Sequence, residues 1–197
     1  MSFKINIIPS GSYELLYQGD FHYLSAYKLV FEWLTLNGYK DVKGDGDRFE
    51  YLYSEIVSGA GKEIWWWWRT TKKADTFIDF YIDVDCHVLF LDKKQKIVGD
   101  NKFKTNSAEI SFFITPYIKV DQEKAMEKNF LTKYVSLGGE QSPFYNKVYR
   151  ELLGQKKEEL YVKSHELINV IKQHFGLMMH RSLPKPFHNP YGVPQFT

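Results

Sequence analysis

The chain has 197 residues, with 26 Lys and Arg against 24 Asp and Glu and a net charge of +2. This length fits one domain with a sizeable core, and the balanced charge argues against a nucleic-acid-binding surface. The single cysteine, Cys86, excludes an internal disulfide. No stretch approaches about 18 uninterrupted apolar residues, and residues 1–10 lack the pattern of a secretory signal. We therefore expect a soluble protein of the cytoplasm or of a virion.

The first forty residues predict two short strands and a helix. Residues in Phe3–Pro9 and Tyr13–Gln18 favour strands around a turn at Ser10–Ser12. Asp20 is the predicted N-cap of the helix, and Gly38 is its predicted stop. Apolar side chains at helical spacing should form its buried face: Tyr23, Tyr27, Val30, Phe31 and Leu34.

Aromatic and β-branched residues dominate the middle of the chain and predict an antiparallel meander. Its strands are Arg48–Val57, Glu63–Thr71, Thr76–Leu91 and Ser107–Val120. Gly59–Gly61, Lys72–Asp75 and Asp92–Gln95 are the predicted turns. Strict alternation predicts the core-facing side chains of the two longest strands: Ile78, Phe80, Ile82, Val84, Cys86, Val88 and Phe90, then Ala108, Ile110, Phe112, Ile114 and Ile118.

Helical spacing returns after the last predicted strand. One helix is expected in Asp121–Gly138, and Ser142 before Pro143 begins a long helix that Gly176 ends. Gly154 could divide it. Its predicted buried stripe comprises Leu160, Leu167, Ile168, Ile171 and Phe175. The order of elements predicts an α+β fold: an antiparallel meander sheet of four or more long strands with helices packed on one face.

The chain is expected to form a single α+β domain over residues 1–181, followed by an extended tail over residues 182–197. The tail contains four prolines and only scattered apolar residues, so it should need contact with its own domain or with a neighbouring subunit to become ordered. Phe187, Tyr191 and Phe196 are its predicted anchors on a neighbour.

Four consecutive tryptophans, Trp65 to Trp68, place two indoles on each face of one predicted strand. Trp66 and Trp68 are assigned to the core. The others should join an aromatic patch on the opposite face, which comprises Trp65, Trp67, Tyr81, Phe113 and Tyr117. Such a patch is typical of a protein contact, although cover from within the chain or stacking on a sugar ring or an organic cation would also use it.

Asp83, Asp85 and His87 alternate along one strand face and form the only cluster with metal-ligand chemistry in the sequence. Neighbouring members lie about 6 to 7 Å apart, which favours an acidic ladder paired with Arg69 or Lys119 over a metal site. Cys86 points away from His87, which argues against a cysteine nucleophile.

The glycine-rich segment Ser58–Lys62 resembles a phosphate-binding loop. Ile56 stands where that motif needs its first glycine, Glu63 replaces the required hydroxyl, and a strand follows instead of a helix. We therefore interpret the segment as a hairpin connection, and no catalytic residue is predicted.

Three stretches carry a resemblance: Phe31–Tyr39, Lys62–Val84 and Ser142–Gly176. They are similar to uncharacterised small α+β proteins of archaeal and tailed-virus-like genomes, in which a W-x-x-x-K-K-x-x-D-x-F pattern recurs between strands. The matching positions are Trp68, Lys72, Lys73, Asp75 and Phe77. The resemblance implies no activity and does not extend to the tail.

The favoured function is a non-enzymatic structural or assembly subunit of a larger particle, such as a tailed-virus head or tail component. Its expected partners are other protein subunits, with no specific nucleic acid, no membrane, no cofactor and no metal. Two alternatives remain open. One is a cytoplasmic ligand-binding module in which the sheet and a long helix enclose an aromatic-lined cavity. The other is a metal-dependent hydrolase that uses Asp83, Asp85 and His87.

Overall fold

The computed structural model describes residues 3–8, 11–43, 48–59, 61–98, 101–120 and 143–177. Within these ranges the chain forms one seven-stranded antiparallel sheet and two helices, which confirms the predicted α+β class. The helices are α1 (Tyr23–Leu36) and α2 (Pro143–His174). The strands are β1 (Phe3–Asn6), β2 (Tyr13–Phe21), β3 (Lys40–Asp41), β4 (Glu50–Ser58), β5 (Gly61–Lys73), β6 (Ile78–Val98) and β7 (Asn101–Val120).

The sheet is a meander of long strands with short strands added at both sides. Strands β4, β5, β6 and β7 pair in sequence order, as predicted. Strands β1 and β2 pair with successive parts of β7, while β3 and β4 share β5 in the same way. A strand of 20 residues is long enough to hold two short partners end to end. The N-terminal strands therefore close the sheet beside the last strand of the meander.

Both described helices pack on the same face of the sheet. Trp66 and Trp68 are 0% exposed, and the Tyr27 ring of α1 meets them edge-on with centroids 5.5 and 4.8 Å apart. Phe175, the residue that follows α2, reaches the same layer, where its ring centroid lies 6.1 Å from that of Phe112. Burial of side chains of this size contributes on the order of 1.5–3 kcal/mol each. The predicted inward faces of β7 and α2 are confirmed.

The N-cap of α1 differs from the prediction. β2 continues to Phe21, which pairs with Asn106 of β7, so Asp20 still belongs to a strand. Its carboxylate accepts a hydrogen bond from Lys94 Nζ at 2.9 Å. His22 caps the helix instead, because its Nδ1 accepts the Ser25 backbone N–H at 3.2 Å. The prediction of Asp20 as N-cap is therefore wrong.

The predicted turn at Asp92–Gln95 is also wrong. β6 runs on to Val98, and its pairing with β7 shifts register between Leu89 and Asp92. The shift is a β-bulge at Phe90, which has φ 55° and is 58% exposed rather than in the core. Gly61 of the adjacent strand accommodates the bulge, since a Cβ there would lie 3.1 Å from the Phe90 carbonyl carbon.

Two other elements, β5 and α2, also continue past positions where the sequence predicts or allows a break. The turn expected at Lys72–Asp75 begins later, because β5 continues to Lys73 and the backbone N–H groups of Ala74 and Asp75 donate to the Ile78 carbonyl. Gly154 does not divide α2, which is continuous from Pro143. Regular pairing and helical bonding thus extend further than the local sequence signals indicate.

The helix predicted in Asp121–Gly138 and the tail at residues 182–197 lie outside the described residues. Neither described helix combines the length and the apolar character required to cross a bilayer.

Candidate functional site

The candidate site is the sheet face opposite α1 and α2, which we call the outer face. Trp65 and Trp67 of β5 pair with His87 and Asp85 of β6. Asp85 in turn pairs with Phe113 of β7. Side chains directly opposite one another on paired strands share a face. The sheet therefore brings together the predicted patch residues Trp65, Trp67, Tyr81, Phe113 and Tyr117.

Trp65, His87 and Glu63 form a cluster of three side chains on the outer face. Its indole is stacked on the His87 ring, with centroids 3.5 Å apart. Its Nε1 donates to Oε1 of Glu63 at 3.0 Å, and Nε2 of His87 lies 2.8 Å from the same oxygen. The hydrogen bond from His87 and the one from Trp65 lower the pKa of Glu63, so this carboxylate stays ionised. These contacts fix the position of the Trp65 indole.

Arg69 organises the acidic residues of the outer face. Its guanidinium forms an ion pair with Asp85, and its Nε lies 3.6 Å from Asp83 Oδ2. The guanidinium carbon also sits 5.8 Å from the Trp67 ring centroid, within cation–π distance. Burial raises the pKa of Asp83, while Arg69 opposes that shift. The predicted pairing of the acidic ladder with Arg69 is confirmed.

The acidic ladder does not have the geometry of a metal site. In the part of the chain that the structure describes, no group of three or more His, Cys, Asp or Glu side chains is placed to hold a metal ion. Asp83 and Asp85 are engaged by Arg69, and His87 by Glu63. Asp83 and Asp85 are thus already used in ion pairs.

Tyr81 and Tyr117 lie on the outer face but are covered by their neighbours. Their rings stack with centroids 4.9 Å apart and planes 9° apart. Lys119 Nζ is 4.4 Å from the Tyr81 centroid, and Lys4 Nζ is 4.1 Å from the Tyr117 centroid. The two tyrosines are only 3% and 6% exposed. Contact surface at the predicted positions is therefore concentrated on Trp65, Trp67 and Phe113, which are half-buried.

Further apolar side chains extend the outer face to both edges of the sheet. Ile56 pairs with Glu63, and Leu16 pairs with Ser111, which places both on this face. Tyr51 lies beside Arg69. All three are exposed. Sequence reasoning missed them because their face depends on strand register, although the alternation within β4 was a usable signal.

Buried side chains of the described residues form the layer between the sheet and the two helices. Trp66, Trp68, Phe80 and Phe112 occupy its centre, and none of them is more than 1% exposed. The geometry there is that of a packed core. The tail anchors Phe187, Tyr191 and Phe196 lie outside the described residues.

The chain matches no family model, no curated protein and no solved structure.

Proposed function

We propose that this protein is a non-enzymatic assembly subunit that binds other protein subunits through its outer face. The observation that carries the proposal is the position of Trp65 and Trp67. Both indoles are half-buried on a sheet face that neither α1 nor α2 covers. Rigid aromatic side chains on such a surface provide large contact area with little loss of conformational entropy on binding.

The partner that this face fits best is another copy of the same chain. The face carries both signs of charge, with Arg69 and Lys119 beside Asp83 and Asp85. A surface of mixed sign can be complementary to itself across a two-fold axis. The net charge of +2 also gives little long-range repulsion between copies. A tailed-virus head or tail particle is the setting that the sequence resemblance favours.

The contacts of Arg69 support an assembly role over the metal-hydrolase alternative. A metal centre would need Asp83 and Asp85 as free ligands, whereas Arg69 pairs with both. The aromatic side chains between the sheet and the helices, such as Trp66 and Phe112, are fully buried, as in a packed core. The side chains of the outer face are therefore better suited to a protein–protein contact than to catalysis.

The experiment compares two double variants of the full chain by sedimentation velocity. Trp65→Ser with Trp67→Ser should weaken self-association at least about tenfold, because buried aromatic side chains dominate interface energetics. The matched control, Leu36→Ser with Val162→Ser, removes two exposed apolar side chains from the helices. It should associate like the unmodified chain. Equal effects from the two variants would contradict the role of the outer face.

A further inference from the structure

A cleft of about 440 Å³ opens on the helix-bearing face, at the N-terminal end of α1. The sheet extends past the helix here, so strands β4 to β7 form the floor. The apolar part of the lining comes from Tyr23, Tyr53, Ile64 and Leu91. Glu55 and Lys62 form an ion pair at the rim. The cleft therefore offers an apolar pocket with a polar border.

Tyr23 lines this cleft with a largely buried side chain. Tyr23 is only 8% exposed, and its hydroxyl oxygen lies beneath the surface of the cleft beside Tyr53. The neighbouring Tyr53 hydroxyl interacts with the Tyr23 hydroxyl and also donates to Glu55 Oε2 at 3.4 Å. Tyr23 and Tyr53 therefore contribute aromatic rings to the lining of the cleft.

A second groove of about 400 Å³ continues from the cleft and shares His22, Lys93 and Asn106 with it. Lys94 and Lys104 complete a lining that includes three lysines and no carboxylate. Lys94 is paired with Asp20, whereas Lys93 and Lys104 have no ion pair within the described ranges. The groove also lies at the N-terminal end of α1, where the helix dipole favours negative charge.

We propose that this composite site binds a small amphipathic anion. The apolar body of the ligand lies against Tyr23 and Leu91. Its acidic group lies in the groove, between Lys93 and Lys104. This site is on the opposite side of the sheet from the outer face. The proposal for this site therefore does not depend on the proposed assembly role.

Isothermal titration calorimetry of the full chain with octanoate, and with 1-octanol as the uncharged analogue, tests the charge requirement. A ligand of this size is expected to bind at about 1 mM or tighter. Octanoate should bind at least about tenfold more tightly than 1-octanol, because only the acid can pair with the lysines. No saturable octanoate binding below about 10 mM, or equal affinity for the alcohol, would overturn the proposal.

Variants and mapping locate the site. Lys93→Gln with Lys104→Gln should lower the octanoate affinity about tenfold and leave that for 1-octanol unchanged. The control, Lys40→Gln with Lys157→Gln, removes the same charge elsewhere and should bind octanoate normally. Amide shifts on titration should concentrate at Tyr23, Leu91 and Asn106. Shifts concentrated on the outer face around Trp65, or equal losses in both variants, would overturn the site.

Discussion

The indole of Trp65 lies parallel to the imidazole of His87, with ring centroids 3.5 Å apart and planes 15° apart. The two residues are direct partners on β5 and β6. Trp66, the next residue along the chain, points to the other face and is 0% exposed. Neighbouring indoles in one run therefore have different environments: one is stacked on the outer face, and the other is sealed beneath the helices.

This alternation predicts unequal effects on stability within the tryptophan run. Trp66→Ala should lower the free energy of unfolding by about 3–5 kcal/mol, because it leaves a large cavity in the core. Trp65→Ala should lower it by only about 1 kcal/mol, since its ring is partly in solvent. Urea denaturation of both variants measures the difference. Similar losses from the two substitutions would contradict the assignment of faces.

His165 predicts a pH dependence of folding. Its Nε2 lies 3.1 Å from the Tyr13 hydroxyl, where α2 meets β2. Burial, and then the charge of Lys172, lower the pKa of His165 below its ordinary value of 6.5. The folded state therefore binds this proton less tightly than the unfolded state. Its contribution to stability is complete above pH 6.5 and is lost as the pH falls through the lowered pKa.

Urea midpoints measured between about pH 7 and about pH 5 should consequently fall as the solution is acidified. His165→Gln should reduce that slope, with the remainder assigned to other groups such as His174, whose pKa is also lowered by burial. Nuclear magnetic resonance titration gives the direct test. A His165 midpoint at or above 6.5 would show that burial does not act as described.

Cys86 should be unreactive in the folded protein. It is buried in the core, and burial, followed by the charge of Asp85, raises its pKa well above the ordinary range. Because the thiolate is the reactive form, labelling with a thiol reagent should be at least about 100-fold slower in native buffer than in denaturing urea. The urea sample, with one thiol per chain, provides the reference. Rapid native labelling would place Cys86 at an accessible site.

The bulge on β6 predicts a contrast between two glycines. Gly61 has φ 120°, and a methyl group added there would lie 3.1 Å from the Phe90 backbone, so Gly61→Ala should lower stability by about 1–3 kcal/mol. A methyl group added at Gly59 would meet no atom within 4 Å, so Gly59→Ala should have little effect. Thermal unfolding of the two variants measures the contrast, and an unaffected Gly61→Ala protein would argue against the bulge.

The fold class could be predicted from the sequence because alternation and helical spacing are local and strong. In β6 the positions predicted to face the core, which alternate from Ile78 to Val88, are all buried. The prediction fails at Phe90, where a bulge reverses the alternation. Bulges depend on the partner strand, in this case on the close approach of Gly61, and that information is not local.

The candidate site was predictable in part for the same reason. The run Trp65 to Trp68 places two indoles outside the core whichever register the sheet adopts. The near-complete burial of Tyr81 and Tyr117 was not predictable, because it depends on the lysines of β1 and β7 lying over their rings. The cleft beside α1 could not be predicted from the sequence either, because its lining comes from several separate elements.

Native mass measurement of the full chain over a wide concentration range tests the central claim most directly. The outer face is proposed to bind copies of the same chain, so species at multiples of the 23.3 kDa chain mass should appear and increase with concentration. Replacing Trp65 and Trp67 with serine should shift that series back toward the single chain. A protein that stays at 23.3 kDa at every concentration would contradict the account.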